Sequence, residues 1–415
     1  MKKNIVVLTL GYYPDMSAVS AVLDKYIQVL KKRYHFHIIA FPTKIDFVPM
    51  NDPDIRIYYM DNFWHNVMIK NNELCKKNPT ILNKMVYLLL RIRGAFLGMI
   101  EDYGVIRWME KSSFRLLEQL SKDMNIDVII SVSGLFVFLH DGAKRFKEKN
   151  PHVKWITFIT DPISFSSSKF KRFKFNEKKK FNSLYNKEKS IYDSADYNIF
   201  LENLYYDAID KFEQPESKTF QFKYVLENMQ PEKYCDEKCN DVNTRMIYAG
   251  ALYREIRNPE YMLSVISQIS DIHLDMFVPD FQCHDIINRY KSDKIVLHES
   301  VGIERYKEMI TNEYDILINI GNNCTNQAPS KMYELLSTGK PIINFFHYKE
   351  SQYELIEKYP LGINIGREDK DAVEKVKRFC IEMRGKRLLF SEVEKIYPEN
   401  SLKEQISILE KLINA

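Results

Sequence analysis

Several things are scarce in this chain, and each absence closes a class of explanation. Glycine is thin, at 13 of 415 residues, and there are only six cysteines. Those cysteines, at 75, 235, 239, 283, 324 and 380, are too dispersed for a disulfide framework. Cys235 and Cys239 make a lone C-x3-C with no second pair, so they do not read as a zinc site. The formal charge of +4 is too small to argue for nucleic acid as a principal partner. No apolar run reaches the length of a membrane span. The start, Met1-Lys-Lys-Asn4 followed by Ile5–Leu10, imitates a secretion signal, but its apolar core is short. Gly11-Tyr-Tyr-Pro14 stops it without a small-residue cleavage site. A cytoplasmic protein is therefore expected, and the scattered thiols fit a reducing compartment.

What is present describes an ordinary globular chain: 45% hydrophobic and 28% charged residues, with 26 Tyr and 25 Phe. Its length exceeds a single core, so two domains of roughly 200 residues are expected. Short apolar runs alternate with helical patterns throughout, the signature of βαβ units and parallel sheets. Strands are predicted at Ile5–Leu10, Phe36–Phe41, Ile55–Tyr59, Val128–Ser133, Trp155–Thr160 and Tyr197–Leu201, with a helix over Ala18–Lys32. They make an α/β, Rossmann-like domain over 1–205. A polar linker region is placed at 206–244, richest in charge and proline from Glu213 onward. The alternation restarts at Met246–Ala249, Leu274–Phe277, Lys294–Leu297, Ile316–Ile320 and Pro341–Phe345, giving a second Rossmann-like domain over 245–390. A last helix, Ser401–Ile413 in the segment 391–415, is expected to return to the first domain. Ligands in such folds bind beyond the carboxyl ends of the strands.

The loops at those ends in the second domain carry the chemistry. Residues 326–343 run Asn-Gln-Ala-Pro-Ser-Lys-Met-Tyr-Glu-Leu-Leu-Ser-Thr-Gly-Lys-Pro-Ile-Ile. Here a polar loop opens a short helix bearing Ser330, Lys331 and Glu334, and Gly339 and Pro341 end it. Free N–H groups, the helix dipole and a lysine suit an anion, while a carboxylate one turn further suits a ribose hydroxyl pair. Gly250 ends the first strand and permits close backbone approach. Arg254 and Arg257 follow it, and guanidinium groups bind phosphate in bidentate fashion. Backbone at Val301-Gly302 could bracket a flat base, although the same residues also read as a turn and a capped helix. Gly321-Asn322-Asn323 leads from the fourth strand into the 326–343 stretch.

Together the Gly250…Arg257-Asn-Pro259 loop, the Val301-Gly302 turn and Pro329-Ser-Lys331…Glu334…Gly339-Lys-Pro341 resemble a GT-B glycosyltransferase, close to glycosyltransferase family 4. The resemblance covers the second domain by motif and the first by architecture alone. It implies two facing Rossmann-like domains with a cleft between them. The implied reaction is transfer of a sugar from a nucleotide donor, UDP-linked for preference, with no cofactor and no obligatory metal. By the same resemblance Glu334 matches the ribose carboxylate, and Arg257 and Lys331 match the basic residues that hold the diphosphate. The donor-binding set is then Gly250, Arg254, Arg257, Val301, Gly302, Asn322, Asn326, Ser330, Lys331 and Glu334. Asn326 departs from the family, which has an acid there beside the donor sugar, and that leaves sugar identity and retaining stereochemistry open. Asp52-Pro-Asp54 is not a metal-binding D-x-D, because it precedes its strand instead of ending one.

On the first domain, the crevice loops place Gly11, Ser133 and Asp161 on the acceptor side. Asp161 is the catalytic candidate there, although Asp161-Pro162 equally makes an Asx turn. His140 lies inside a helical pattern and reads as structural. Residues 85–100 form a strongly apolar helix with two arginines, and Lys169 to Phe181 interleaves basic and aromatic residues. Both suit an anionic membrane surface, and both also fit a buried helix beside a solvated basic loop. The expected protein is a glycosyltransferase acting on a glycan or lipid-linked acceptor in bacterial surface polysaccharide or capsule synthesis. The competing expectations are a non-catalytic GT-B-like subunit and a sugar-nucleotide epimerase.

Overall fold

The computed structural model describes all residues except 1, 15, 45, 46, 48, 49, 78, 79, 101–106, 134–136, 161–163, 165–176, 203, 231–242, 280–282, 324–329 and 350. The chain divides into two compact units, Met1–Lys223 with Ile406–Ala415, and Tyr224–Gln405.

The first unit is built on a seven-stranded parallel sheet in the order β3-β2-β1-β4-β5-β6-β7. Its strands are β1 Asn4–Leu8, β2 His35–Ala40, β3 Ile55–Tyr59, β4 Val128–Ser133, β5 Lys154–Ile159, β6 Tyr197–Leu201 and β7 Thr219–Phe222. Ile5, Val6, Val7 and Leu8 are completely buried. A continuous apolar run is what a strand covered on both faces requires. The helix Ala18–Leu30 starts where the Ser17 hydroxyl accepts from the Ser20 N–H at 3.2 Å. It buries Leu23, Tyr26, Ile27 and Leu30, a spacing of three and four residues that defines one face. β7 lies in the stretch assigned above to the linker. It is only four residues long, yet Phe222 packs edge-on against Phe158 (4.5 Å) and beside Tyr26 (5.3 Å).

The C-terminal helix, Leu402–Asn414, ends in the first unit. Lys154 donates to the carbonyls of Leu412 and Ile413, and Lys3 to that of Ile413, all at 3.1 Å. These lysines satisfy terminal carbonyls that no helical N–H can reach. The Arg33–Glu410 ion pair, at 2.7 Å, adds a further tie.

The second unit has a six-stranded parallel sheet in the order β10-β9-β8-β11-β12-β13. Its strands are β8 Thr244–Ala249, β9 Ile272–Phe277, β10 Ile295–His298, β11 Ile316–Ile320, β12 Ile342–Phe346 and β13 Gly362–Gly366. β13 has no counterpart among the predicted strands. An amide ladder locks its register: Asn319 donates to Asn344 and Asn344 to Asn364, each at 2.8 Å. In chain order the strands of this sheet run 3-2-1-4-5-6. Connections therefore leave in opposite directions on either side of the β8–β11 pair.

Candidate functional site

At such a switch point the loops diverge and open a crevice beyond the strand ends. A pocket of about 380 Å³, counting the space open to solvent, lies there between β8 and β11. Tyr248 and Ala249 reach it from β8 and Asn319 from β11. Tyr306 comes from the helix Ile303–Asn312, and Lys331 from the helix Lys331–Ser337.

The shape of the wall follows from one glycine. Gly250 takes φ +155°, and a methyl group there would meet Lys331 Nζ at 3.3 Å and Tyr248 Oη at 3.4 Å. Without it, Lys331 lies across the end of β8, donating to the Ala249 carbonyl at 2.5 Å. The same ammonium stands 4.6 Å from the centre of the Tyr306 ring, close enough for a cation–π attraction. Burial lowers the Lys331 pKa from 10.5; Glu334 pulls it back up and Arg257 pushes it down. The Tyr306 phenol is raised well above 10, first by burial and then by Glu334, to which it is hydrogen-bonded. Glu334 thus joins Tyr306 and Lys331 in one charged cluster.

Arg257 forms the other wall. The turn Tyr253–Arg257 closes on itself through Ile256 N–H and Arg257 N–H, both donating to the Tyr253 carbonyl. The Asn323 N–H donates to the Ile256 carbonyl at 2.5 Å, which brings the loop after β11 alongside. Asn322 then accepts from Arg257 Nε at 3.0 Å and Nη2 at 2.8 Å, and the Ala251 carbonyl accepts from Nη1 at 3.4 Å. Among the described residues these acceptors are neutral. The pocket lining therefore carries two cations, Arg257 and Lys331, with the Glu334 carboxylate acting on Lys331 and Tyr306, and the pair of cations favours an anionic ligand.

Solved structures are similar in fold to this chain over its full length. The lipopolysaccharide outer core galactosyltransferase WaaB, in its apo form, matches with a TM-score of 0.58 and 11% identity, covering 99% of either chain. HepE of Anabaena, in complex with UDP and glucose, matches with a TM-score of 0.62 and 10% identity over 100% of both chains. Sucrose-phosphate synthase from Thermosynechococcus elongatus reaches 0.64 at 10% identity, over 100% of this chain and 98% of that one. The fold is GT-B. No family model matches the sequence, and no curated protein matches it either.

Within this GT-B chain the residues singled out by sequence separate into groups. Gly250, Arg257, Asn322, Lys331 and Glu334 come together, from three segments of the second unit. Arg254 does not join them. Both oxygens of Asp285 take its guanidinium at 2.7 Å, at an exposed position, and this pairing raises the Arg254 pKa. Val301 and Gly302 are exposed at the start of the helix Ile303–Asn312 and do not line the pocket. Ser330 is the N-cap residue of a helix of seven residues, and its side chain makes no capping bond. Lys340, from the Gly339-Lys-Pro341 turn, reaches the Tyr314 carbonyl instead of the pocket, and burial pushes its amine down to about 7.

Asn326 and Asp161 lie outside the described residues. In the first unit Gly11 is buried, its carbonyl accepting from the Ser17 N–H at 3.0 Å, and Ser133 ends β4. His140 is wholly buried on the helix Phe138–Lys149, with Nδ1 2.7 Å from the Ser131 hydroxyl. Sequence reasoning missed Tyr306 and Tyr248. Their only signal was position: Tyr306 falls on the apolar face that Met309 and Ile310 also define, and Tyr248 stands two residues before Gly250.

Proposed function

We propose that this chain is a glycosyltransferase of the family 4 type, moving a sugar from a nucleotide donor, UDP-linked for preference, to a glycan or lipid-linked acceptor. The observation that carries the reading is the convergence of Arg257 and Lys331 at the switch point of the second sheet, with Glu334 coupled to Lys331 and Tyr306. Breaking the bond between the sugar's anomeric carbon and the phosphate oxygen leaves negative charge on the diphosphate. Fixed cations that need no rearrangement stabilise that charge. Arg257 is held by Asn322 and Lys331 by Ala249, so both are oriented before the donor arrives. Glu334, with its acceptor oxygens, takes the ribose hydroxyls. HepE, solved with UDP and glucose, is similar in fold and supports this class of ligand.

In a retaining reaction the departing phosphate serves as the base for the acceptor hydroxyl, so no protein base is demanded. Phosphate charge met by Arg257 and Lys331 needs no metal ion, and we expect activity in the presence of a chelator. Asp161 is proposed as the acceptor-side carboxylate. Surface polysaccharide synthesis on the cytoplasmic side is the setting we favour.

The test is thermal stabilisation by nucleotides. At about a hundredfold excess over Kd a ligand adds about 2.7 kcal/mol, which in a unit of this size raises Tm by roughly 5–10 °C. UDP, GDP and their sugars are compared on the wild type and on Glu334→Ala. The shift should appear with one nucleotide and shrink in the variant. No shift with any nucleotide would overturn the enzyme reading. A shift that survives Glu334→Ala would leave the function and discard the ribose role.

A further inference from the structure

The helix Ile81–Ile100 carries a broad exposed apolar stripe over its first three turns. Ile81, Leu82, Met85, Leu88, Leu89 and Ile92 are 57–80% exposed. At 3.6 residues per turn these six positions fall in one stripe about 120° wide. Val86 and Leu90 are turned inward and half-buried, together with one polar residue. Asn83 is buried there, its carbonyl accepting from Asn71 Nδ2 of the helix Phe63–Lys77 at 3.2 Å. Phe63 and Trp64, at the start of that helix, are exposed as well. An apolar surface of this extent on a folded chain marks an interaction site.

Charge identifies what covers it. Lys84 and Arg91 flank the stripe on one side, and Arg93 flanks it on the other, its guanidinium 4.6 Å from the Trp64 ring. The helix Ile81–Ile100 contains no acidic residue, and residues 63–100 carry six Lys or Arg against the single Glu73. A second copy of this chain would set like charge against like charge. A surface of anionic lipid neutralises the cations while its acyl boundary takes up the stripe. Cations at both flanks and a ring beside the guanidinium match a helix lying in the headgroup plane, where long basic side chains reach back to water. No helix among the described residues is long and apolar enough to cross a membrane.

We propose that the outward stripe of the helix Ile81–Ile100, with Phe63 and Trp64 beside it, seats the protein on an anionic phospholipid surface. The proposal is independent of the nucleotide pocket, which lies in the other unit.

Flotation of the full chain with vesicles tests it, comparing phosphatidylcholine alone with equimolar phosphatidylcholine and phosphatidylglycerol. The wild type should rise with the anionic vesicles and remain behind with the neutral ones. Leu88→Glu combined with Leu89→Glu should abolish flotation; both positions are exposed, so the circular dichroism melt should be unchanged. Lys84→Gln combined with Arg91→Gln keeps the stripe and should weaken binding on the order of tenfold or more. A wild type that ignores anionic vesicles, or a Leu88→Glu, Leu89→Glu variant that floats equally well, would overturn the proposal. So would a dimer in light scattering that this variant converts to monomer while neither protein floats, since the stripe would then belong to a second copy.

Discussion

Lys331 is a cation in a place that disfavours cations. Burial lowers its pKa from 10.5, and only Glu334 among the named charges opposes that drop. Between the lowered folded value and 10.5 the unfolded chain holds a proton that the folded chain does not. Stability from this group therefore rises with pH across that interval. Binding of an anion runs the other way, because it needs the protonated amine. UDP affinity should accordingly fall on the alkaline side at a pH below 10.5. Lys331→Arg keeps its charge throughout this range and should flatten the alkaline decline, even if its affinity at neutral pH is lower. Calorimetric titration of UDP at several pH values reads this directly. An identical decline in both proteins would show that Lys331 is not the group responsible.

At the scale of elements, the helix Lys331–Ser337 holds Lys331 and Glu334 in position, and its end is the vulnerable point. Gly339 closes it at φ +74°, with the Gly339 N–H donating to the Leu336 carbonyl at 3.0 Å. A methyl group at Gly339 would fall 2.1 Å from the Leu388 carbonyl oxygen. Gly339→Ala must bear left-handed backbone, about 1–2 kcal/mol, and move the 388 segment as well. We expect a loss of at least about 2 kcal/mol, or a Tm drop of about 4–8 °C for a unit of this size. A calorimetric shift smaller than about 1 °C would contradict this account.

This helix was readable in the sequence because Lys331, Glu334 and Gly339 act within one short span. Strands β1, β4 and β11 were readable too, as apolar runs with clear edges. β13 was not, since Gly362 and Gly366 bracket it and read as breaks; its evidence is the ladder to Asn344, which only the folded sheet displays. β7 was lost to its length and its polar neighbours. In the pocket, Arg257 and Arg254 looked alike as sequence. What separates them is Asp285, 31 residues from Arg254, and Asn322, 65 residues from Arg257. Pairings over such distances leave no local trace.

For the whole molecule, the informative segment is the last one. The chain leaves the first unit at Lys223, builds the second through Gln405, and returns with Ile406–Ala415. That return buries Ile406, Leu409, Leu412 and Ile413, each no more than 6% exposed. At about 1.5–3 kcal/mol per side chain, their burial is worth roughly 6–12 kcal/mol as an upper estimate. A domain's entire stability is only about 5–15 kcal/mol. Removing Ile406–Ala415 should therefore unfold or severely loosen the first unit, and it also strips Lys3 and Lys154 of the carbonyls they bind. The second unit keeps every strand from β8 to β13 and the whole Arg257–Lys331–Glu334 cluster. Hydrogen exchange on the truncated chain should show β1, β2 and β5 losing protection while β8 and β11 retain theirs. A nucleotide that stabilises the intact protein should still slow exchange at β8 and β11. Wild-type protection in β1, β2 and β5 after truncation would mean that the C-terminal helix merely decorates the first unit. Loss of protection in both units together would mean that the two cores do not fold as separate bodies.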